Sequence, residues 1–231
     1  MKREAKFLKQ QKIFVGGLAT GLVILFVYLL IIIAKDIPAG KFIPNIHYIE
    51  LDKPYQTRGN KIEVVEFFSY ACIVCYRFDP LINVWAKENE NIIRFRRSPL
   101  SGNETWRRMA QHYYALERLD ALEDKHEHFF YAVHEKKLNI SSPARLMKWT
   151  REESIIGYEQ AVDSNFVKSR VTSADQLARR LKIASVPALL VNGRYVIKIS
   201  DKVGTSRMLE ILDFLVRKDL NLTPSLQSSL N

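Results

Sequence analysis

The sequence predicts an α/β fold preceded by one N-terminal transmembrane helix. Short segments rich in β-branched and aromatic residues, at 62–68 and 188–197, are typical of strands. Between them, apolar residues recur at helical spacing over about 102–182, which predicts a series of helices. Ahead of both, 13–34 is an apolar segment without a charged residue. These three patterns define the architecture.

Length and charge set the domain organisation. The chain has 231 residues, which is enough for one folded domain with an attachment. Its net charge is +10, but the basic residues are scattered, without a long cationic run or a nucleic-acid motif. We therefore predict no nucleic-acid partner. The predicted parts are a basic cytoplasmic tail, an anchor, a linker, the folded domain and a flexible tail, at 1–12, 13–34, 35–46, 47–220 and 221–231.

The apolar segment Ile13–Ala34 predicts a membrane anchor. As a helix it would be about 33 Å long, which matches the roughly 30 Å hydrocarbon core of a bilayer. A cleavable signal peptide would be shorter and would end in small residues, whereas Ile37 stands at the nearest candidate site, so an uncleaved anchor is favoured. The basic residues before the anchor place the N-terminus in the cytoplasm and the folded domain outside, where disulfides persist.

Cys72 and Cys75, the only cysteines in the chain, lie where a strand turns into a helix. Residues three apart on a first helical turn share one face and are close enough for a disulfide. Cys72 also lies among the unpaired N–H groups at the helix N-terminus, which stabilise a thiolate. Because the thiolate is the reacting species in disulfide exchange, the pair is predicted to be a redox-active dithiol.

Two structural interpretations of the cysteine spacing remain as alternatives. A zinc site needs about four ligands, and the chain has no second cysteine pair. His126, His128 and His134 lie far along the chain in a predicted helix, where 126 and 128 face different sides. An inert disulfide would close only a very small loop, which adds little stability. We predict no metal.

Glu66 is the third candidate catalytic residue. The alternation of the strand places it on the same face as Ile62, Val64 and Phe68, which is apolar. A carboxyl group there would be buried, with a raised pKa, and could exchange protons with a nearby thiol. The alternative is an exposed glutamate at a frayed strand end.

The C-terminal part of the domain predicts a hairpin and a closing helix. Asn192-Gly193 separates two apolar segments, and both turn residues tolerate a positive φ. Pro187 starts the first of these strands. Apolar residues at helical spacing follow over 208–215, and the helix is predicted to end at Arg217-Lys218, which favours the helix dipole.

Two separated motifs carry a resemblance to a known family. The segment 65–78, from Val65 through both cysteines to Phe78, and the segment 185–195, which contains Pro187, resemble the DsbA family of bacterial periplasmic thiol–disulfide oxidoreductases. A weaker match is Val167-Lys168-Ser169. The resemblance spans roughly residues 47–219 and implies a thioredoxin fold with a helical insertion.

The resemblance also implies roles for the site residues. Glu66 would lie beneath the cysteine pair and take part in proton handling. A cis bond before Pro187 would stand opposite the cysteines, where the backbone of Val186 can pair with an extended substrate. The predicted substrate-binding residues are Val186, Pro187, Ile73 and Val74, and the predicted catalytic residues are Cys72, Cys75 and Glu66.

The favoured function is that of an enzyme in the bacterial inner membrane, with its catalytic domain in the periplasm. It would introduce disulfides into cysteine-containing exported proteins. The resemblance implies reoxidation by a DsbB-like quinone-linked membrane protein and no bound cofactor. A Gly17-x-x-x-Gly21 spacing in the anchor is common by chance, and we expect a monomer.

Ile73-Val74 differs from the Pro-His dipeptide usual in the family, whose histidine helps to stabilise the thiolate. The difference predicts a higher pKa for Cys72 and a less oxidising couple. A reductase or isomerase therefore remains an alternative, although 35–46 is too short for the dimerisation domain that related isomerases carry. A membrane-anchored chaperone or assembly factor without redox turnover is the third interpretation.

Overall fold

The structure is a computed structural model that describes residues 42–222. The predicted basic tail, the anchor Ile13–Ala34, most of the linker and residues 223–231 lie outside the described residues. Within 42–222, none of the helices combines the length and the apolar character needed to cross a membrane.

The strands lie in the N-terminal and C-terminal parts of the described chain, and five consecutive helices lie between them. In chain order the elements are β1 Ile49–Glu50, β2 Ile62–Phe68, α1 Ile73–Glu88, β3 Ile93–Pro99, α2 Glu104–Arg118, α3 Leu122–His134, α4 Pro143–Glu152, α5 Tyr158–Val162, α6 Asn165–Arg180, β4 Ala188–Val191, β5 Tyr195–Lys198 and α7 Thr205–Leu222. The predicted α/β class with a helical insertion is confirmed.

The five strands form one mixed sheet in the order β1-β5-β4-β2-β3. Strand β2 runs parallel to β3 and antiparallel to β4, while β4 and β5 form an antiparallel hairpin. Helix α1 supplies the crossover that a parallel pair requires. Strand β2 therefore has a neighbour on each side, and its C-terminal end leads directly to Cys72.

Helices α2 to α6 form the insertion between β3 and β4. Three of them begin with an N-cap residue whose side chain accepts a hydrogen bond from a backbone N–H group. These N-caps are Asn103, Ser142 and Ser164. The aromatic residues that recur at helical spacing in this part of the sequence belong to the core, since Tyr113, Phe129 and Phe130 are buried.

The predicted hairpin turn is confirmed at Asn192 and Gly193, whose φ angles are 49° and 62°. A side chain at Gly193 would overlap the backbone carbonyl of Tyr55, so glycine is required there by both conformation and space. The turn sets the register of β4 on β5 and thereby fixes where Pro187 lies.

Three boundaries differ from the prediction. The sequence predicts a strand over 91–96, because apolar and basic residues alternate in its second half. In the structure β3 continues past residue 96 to Pro99, because its pairing with β2 extends to the end of β2. Helix α7 continues to Leu222, past its predicted end at Lys218 and past residue 220, the predicted end of the folded domain. The buried residues Val216 and Leu220 prolong its apolar face. Residues 43–46, predicted as the end of the linker, form a turn in which the Asn45 N–H donates to the Tyr48 carbonyl at 2.7 Å.

Candidate active site

Cys72 is the N-cap of α1, and Cys75 lies in the first turn of that helix. Cys72 has an extended backbone, so the helix begins at the next residue. The Cys72 sulfur accepts a hydrogen bond from the Cys75 backbone N–H at 3.1 Å. A thiol or thiolate here takes the place of the serine, threonine or aspartate that usually caps a helix. The predicted position of the pair at the strand-to-helix junction is confirmed.

The two sulfur atoms have different environments, and both are thiols in this structure. Cys72 is partly exposed, whereas Cys75 is fully buried. A hydrogen bond with the Cys75 thiol, followed by the backbone N–H groups of Cys75 and Val74, lowers the pKa of Cys72 to about 7. Burial, followed by the interaction with the neighbouring Cys72, raises the pKa of Cys75. Near neutral pH a thiolate therefore forms at Cys72 while Cys75 keeps its proton.

Val186 and Pro187 immediately precede β4, the neighbour of β2 in the sheet, and face Cys72. Their peptide bond is cis, as the resemblance implied. The Cys72 thiol lies 3.5 Å from the Val186 carbonyl oxygen and donates to it. Because β4 begins directly after Pro187, the sheet holds this carbonyl in place. On the helix side Ile73 and Val74 are 44% and 36% exposed, so apolar surface adjoins the reactive sulfur.

Glu66 is buried at 1% exposure, and this prediction is also confirmed. Burial raises its pKa to about 7, although the nearby Arg97 acts in the opposite direction. The Arg97 Nε donates to the Glu66 carboxylate at 2.9 Å. The charge of Glu66 in turn helps to raise the pKa of Cys75. The carboxyl group and the inner thiol are therefore electrostatically linked.

Arg97 also binds a second buried carboxylate. Its Nη2 donates to Asp79 at 2.7 Å, and Asp79 is 3% exposed. Asp79 accepts further hydrogen bonds from the Asn83 amide at 2.9 Å and from the His126 Nε2 at 3.1 Å. Burial alone would raise the pKa of Asp79, but the bond from His126 and the charge of Arg97 hold it below its usual value.

His126 connects this carboxylate to the segment that precedes the cysteines. Its Nδ1 lies 2.6 Å from the Tyr70 hydroxyl. Burial, together with the charge of Arg97, lowers the pKa of His126 to about 4, so the ring is neutral. Since Nε2 must donate to the ionised Asp79, Nδ1 accepts the proton of the Tyr70 hydroxyl. The ring therefore has one tautomer.

Apart from Glu66, the buried polar residues of the site were not predicted as parts of it. Asp79 follows Cys75 by four residues on α1, and this spacing alone could have placed it on the inner face of the helix. Arg97 lies beyond the predicted end of β3. His126 was considered only as a zinc ligand. It is buried, while the His128 side chain is 62% exposed, so the two face different sides as expected.

A dithiol whose outer sulfur is stabilised as a thiolate, while the inner sulfur keeps its proton, is suited to disulfide exchange. Together with the cis proline opposite the pair, this arrangement defines a class of protein, the thiol–disulfide oxidoreductases of thioredoxin fold.

Comparison with known proteins leads to the same class. Residues 63–215 match the DSBA-like thioredoxin domain family, and the chain belongs to that family. The thiol:disulfide interchange protein DsbA of Azotobacter vinelandii is 31% identical over 188 residues, covering 80% of this chain and 85% of that relative. The corresponding protein of Pseudomonas aeruginosa is 29% identical over 189 residues, covering 80% and 87%.

Solved structures agree with this assignment. The crystal structure of Pseudomonas aeruginosa DsbA matches with a TM-score of 0.71 and 27% identity, covering 76% of this chain and 93% of that one. That of the oxidoreductase DsbA from Xylella fastidiosa matches with a TM-score of 0.71 and 25% identity, covering 78% and 98%. The protein is a thiol–disulfide oxidoreductase. This favours a redox pair over a zinc site or an inert disulfide, and an enzyme over a chaperone without turnover.

Proposed function

We propose that this enzyme is a membrane-tethered oxidant that introduces disulfides into cysteine-containing exported proteins in the bacterial periplasm. The hydrogen bonds that Cys72 accepts at the start of α1 carry the proposal, because they stabilise the thiolate of the reduced enzyme. Stabilising the reduced form favours reduction of the enzyme's disulfide, and a disulfide that is readily reduced is an oxidant of other thiols.

In the oxidised enzyme Cys72 and Cys75 form a disulfide. A substrate thiolate attacks the Cys72 sulfur, the Cys72–Cys75 bond breaks, and Cys75 leaves and takes up a proton. The product of this step is a mixed disulfide between the substrate and Cys72. A second substrate thiolate then attacks the substrate sulfur and releases Cys72 as a thiolate. Two electrons pass from the substrate dithiol to the enzyme, and the substrate gains one disulfide.

Neighbouring groups assist these steps. Glu66, with a pKa of about 7, supplies the proton that Cys75 takes up as it leaves. The backbone of Val186 next to Pro187 pairs with an extended substrate segment, and Ile73 and Val74 contact the apolar side chains of that segment. Cys72, with its partly exposed sulfur, is the residue that meets the substrate.

The apolar segment Ile13–Ala34 would hold the domain at the inner membrane, with the N-terminus in the cytoplasm. Reoxidation by a DsbB-like quinone-linked membrane protein would then occur at the same membrane. We propose a monomer without a bound cofactor. Mass spectrometry of the mature protein tests the tether, because an N-terminus that begins after residue 34 would contradict it.

A reductase or isomerase is the second candidate, and one observation favours it. The groups that lower the pKa of Cys72 are the Cys75 thiol and the backbone N–H groups of Cys75 and Val74. The side chains of Ile73 and Val74 have no hydrogen-bond donor, so the side chains of the dipeptide between the cysteines add nothing to thiolate stability.

The reduction potential decides between the two candidates. The full-length chain, purified in detergent, is equilibrated with glutathione buffers, and the reduced fraction is measured by thiol alkylation. A potential above about −180 mV, the value of protein disulfide isomerase, is expected for an oxidant. A potential near about −270 mV, the value of thioredoxin, would assign the enzyme to the reductases.

A further inference from the structure

The buried groups beneath the cysteines carry unequal charge. Glu66 and Asp79 are two carboxyl groups with 1% and 3% exposure, and they share the single guanidinium of Arg97. With both carboxyl groups ionised and His126 neutral, the cluster would have a net charge of −1. A net buried charge is costly, and the group that carries it takes up a proton instead. One proton is therefore held by this pair of carboxyl groups near neutral pH.

The hydrogen bonds determine which carboxyl group holds that proton. Asp79 accepts from three donors, namely Arg97, Asn83 and His126. Glu66 accepts from Arg97 alone among the hydrogen bonds described for residues 42–222. Because hydrogen bonds to a carboxylate favour its ionised form, Asp79 keeps its charge and the proton resides on Glu66.

His126 is the one donor to Asp79 that comes from the helical insertion, on α3. Its position is fixed on both sides, since the Tyr70 hydroxyl holds Nδ1 and Asp79 holds Nε2. It touches neither cysteine in any described hydrogen bond. An effect of His126 on the thiols therefore passes through one of its two hydrogen-bond partners, and the route through Asp79 leads to Arg97 and Glu66.

We propose that His126 is a positioning residue for the thiol chemistry. By donating its Nε2–H to Asp79 it keeps that carboxylate ionised on Arg97, and so leaves the shared proton on Glu66 beside the cysteine pair. The inference rests on the proposed role of Glu66 as the proton source for Cys75. It assigns the helical insertion a part in the proton supply of the active site.

Several elements present titratable or charged groups to Glu66. The charges of Arg97 on β3 and of Asp79 and Cys72 at α1 affect the pKa of Glu66. The charge of Glu66 affects the pKa values of Cys75 on α1 and Tyr113 on α2. Of these, Arg97 and Asp79 bond directly with each other, and His126 bonds with Asp79. Removing His126 therefore changes the balance between the two carboxyl groups without altering the residues nearest to Glu66.

The test follows the titration of Glu66 by carboxyl-carbon NMR in the reduced full-length chain, with the Glu66 signal assigned through Glu66→Gln. The wild-type midpoint is expected at about pH 7. In His126→Phe, Asp79 loses a hydrogen bond and competes better for the proton, so the Glu66 midpoint should fall by about one pH unit. His126→Gln, whose amide can donate from a similar position, should restore most of the shift.

His112→Phe is the matched control. His112 is also buried, on α2, but its described partner is the Tyr158 hydroxyl at 2.8 Å rather than a carboxylate. We expect its Glu66 midpoint to equal that of the wild type. An unchanged midpoint in His126→Phe, or an equal shift in both variants, would overturn the inference.

Asp79→Asn provides an independent measurement if His126→Phe does not fold. Without the competing carboxylate, Glu66 has Arg97 to itself, and its midpoint should fall well below 7. A midpoint that stays near 7 would show that burial alone sets it, and the inference would fail. These titrations do not depend on the direction of the redox reaction. If the enzyme proves to be a reductase, the proposed function is contradicted, but the titrations still test the role of His126.

Discussion

The active site has two halves that are built in different ways. The outer half, comprising Cys72, Ile73, Val74 and Val186, is organised by backbone groups at a helix start and a strand start. The inner half, comprising Glu66, Asp79, Arg97 and His126, is held together by side chains from four elements. The outer half stabilises a thiolate, and we propose that the inner half holds a proton. A protein can thus adjust the two properties through separate residues.

The division of labour between the cysteines gives the largest expected effect. Cys75→Ala should accumulate mixed disulfides with client proteins, because the exposed Cys72 thiolate still attacks client disulfides but no Cys75 thiol is present to displace the client from Cys72. Cys72→Ala should accumulate few, since the remaining thiol is buried and its pKa is raised. Diagonal non-reducing gels of cell extracts measure both variants, and the opposite pattern would exchange the two roles.

Arg97→Met removes the cation of the inner half. Two buried carboxyl groups would lose their common partner, and breaking a buried pair costs about 3–5 kcal/mol of unfolding free energy. The control is Arg94→Met on the same strand, where the side chain is 46% exposed in its pair with Glu63. An exposed pair contributes about 0–1 kcal/mol. Urea unfolding at pH 7 compares the variants, and equal losses would mean that the buried cluster adds no stability.

Val74→His alters the outer half alone. A histidine there could donate a hydrogen bond to the Cys72 thiolate, which is worth about 1.5–3 kcal/mol. Since about 30 mV corresponds to roughly 1.4 kcal/mol in a two-electron couple, the potential should rise by roughly 30–65 mV. Wild type and variant are equilibrated with glutathione in parallel. If the reduction potential stays the same or falls, the residues of the inner half determine the reduction potential.

His112→Phe tests a buried histidine outside both halves. Burial, and then the effect of His126, lowers the pKa of His112 to about 3. The unfolded state therefore binds more protons below about pH 6.5, and wild-type stability is lost as the pH falls through this range. At pH 5 the loss from this residue is about 2 kcal/mol.

The measured quantity is the difference in unfolding free energy between wild type and His112→Phe at pH 7 and pH 5. A difference is needed because Glu66, whose pKa is raised to about 7 by burial, contributes stability of opposite slope as the pH falls. On acidification from pH 7 to pH 5, the unfolding free energy of His112→Phe should rise by about 2 kcal/mol relative to that of the wild type. An identical pH dependence would contradict the neutral, buried state of His112.

Most of the outer half could be predicted from the sequence because its signals are local, whereas the position of Val186 opposite Cys72, 114 residues away in the chain, was implied by the family resemblance. The helix start at Cys72 follows from the junction of a β-branched segment with a helical pattern. The hairpin that places Pro187 follows from Asn192-Gly193. Even the burial of Glu66 follows from alternation within one strand, so each of these features depends on residues that are close in the chain.

The inner half depends on residues that are far apart in the chain. The bonds of Arg97 with Glu66 and of His126 with Asp79 span 31 and 47 residues. A single ionisable residue has no periodic pattern that would reveal its partner. Arg97 was placed outside β3 because Arg97-Ser98 interrupts the alternation of apolar and basic residues, whereas pairing with β2 carries the strand through to Pro99.

The order of these residues along the chain affects the maturation of the enzyme. The ribosome makes Cys72 and Cys75 before Arg97 and well before His126, which is separated from its partner Tyr70 by 56 residues. Until α3 has been made and has packed, Asp79 lacks the hydrogen bond from His126, so the buried cluster beneath the cysteines is incomplete. Completion of the active site therefore follows synthesis of the helical insertion.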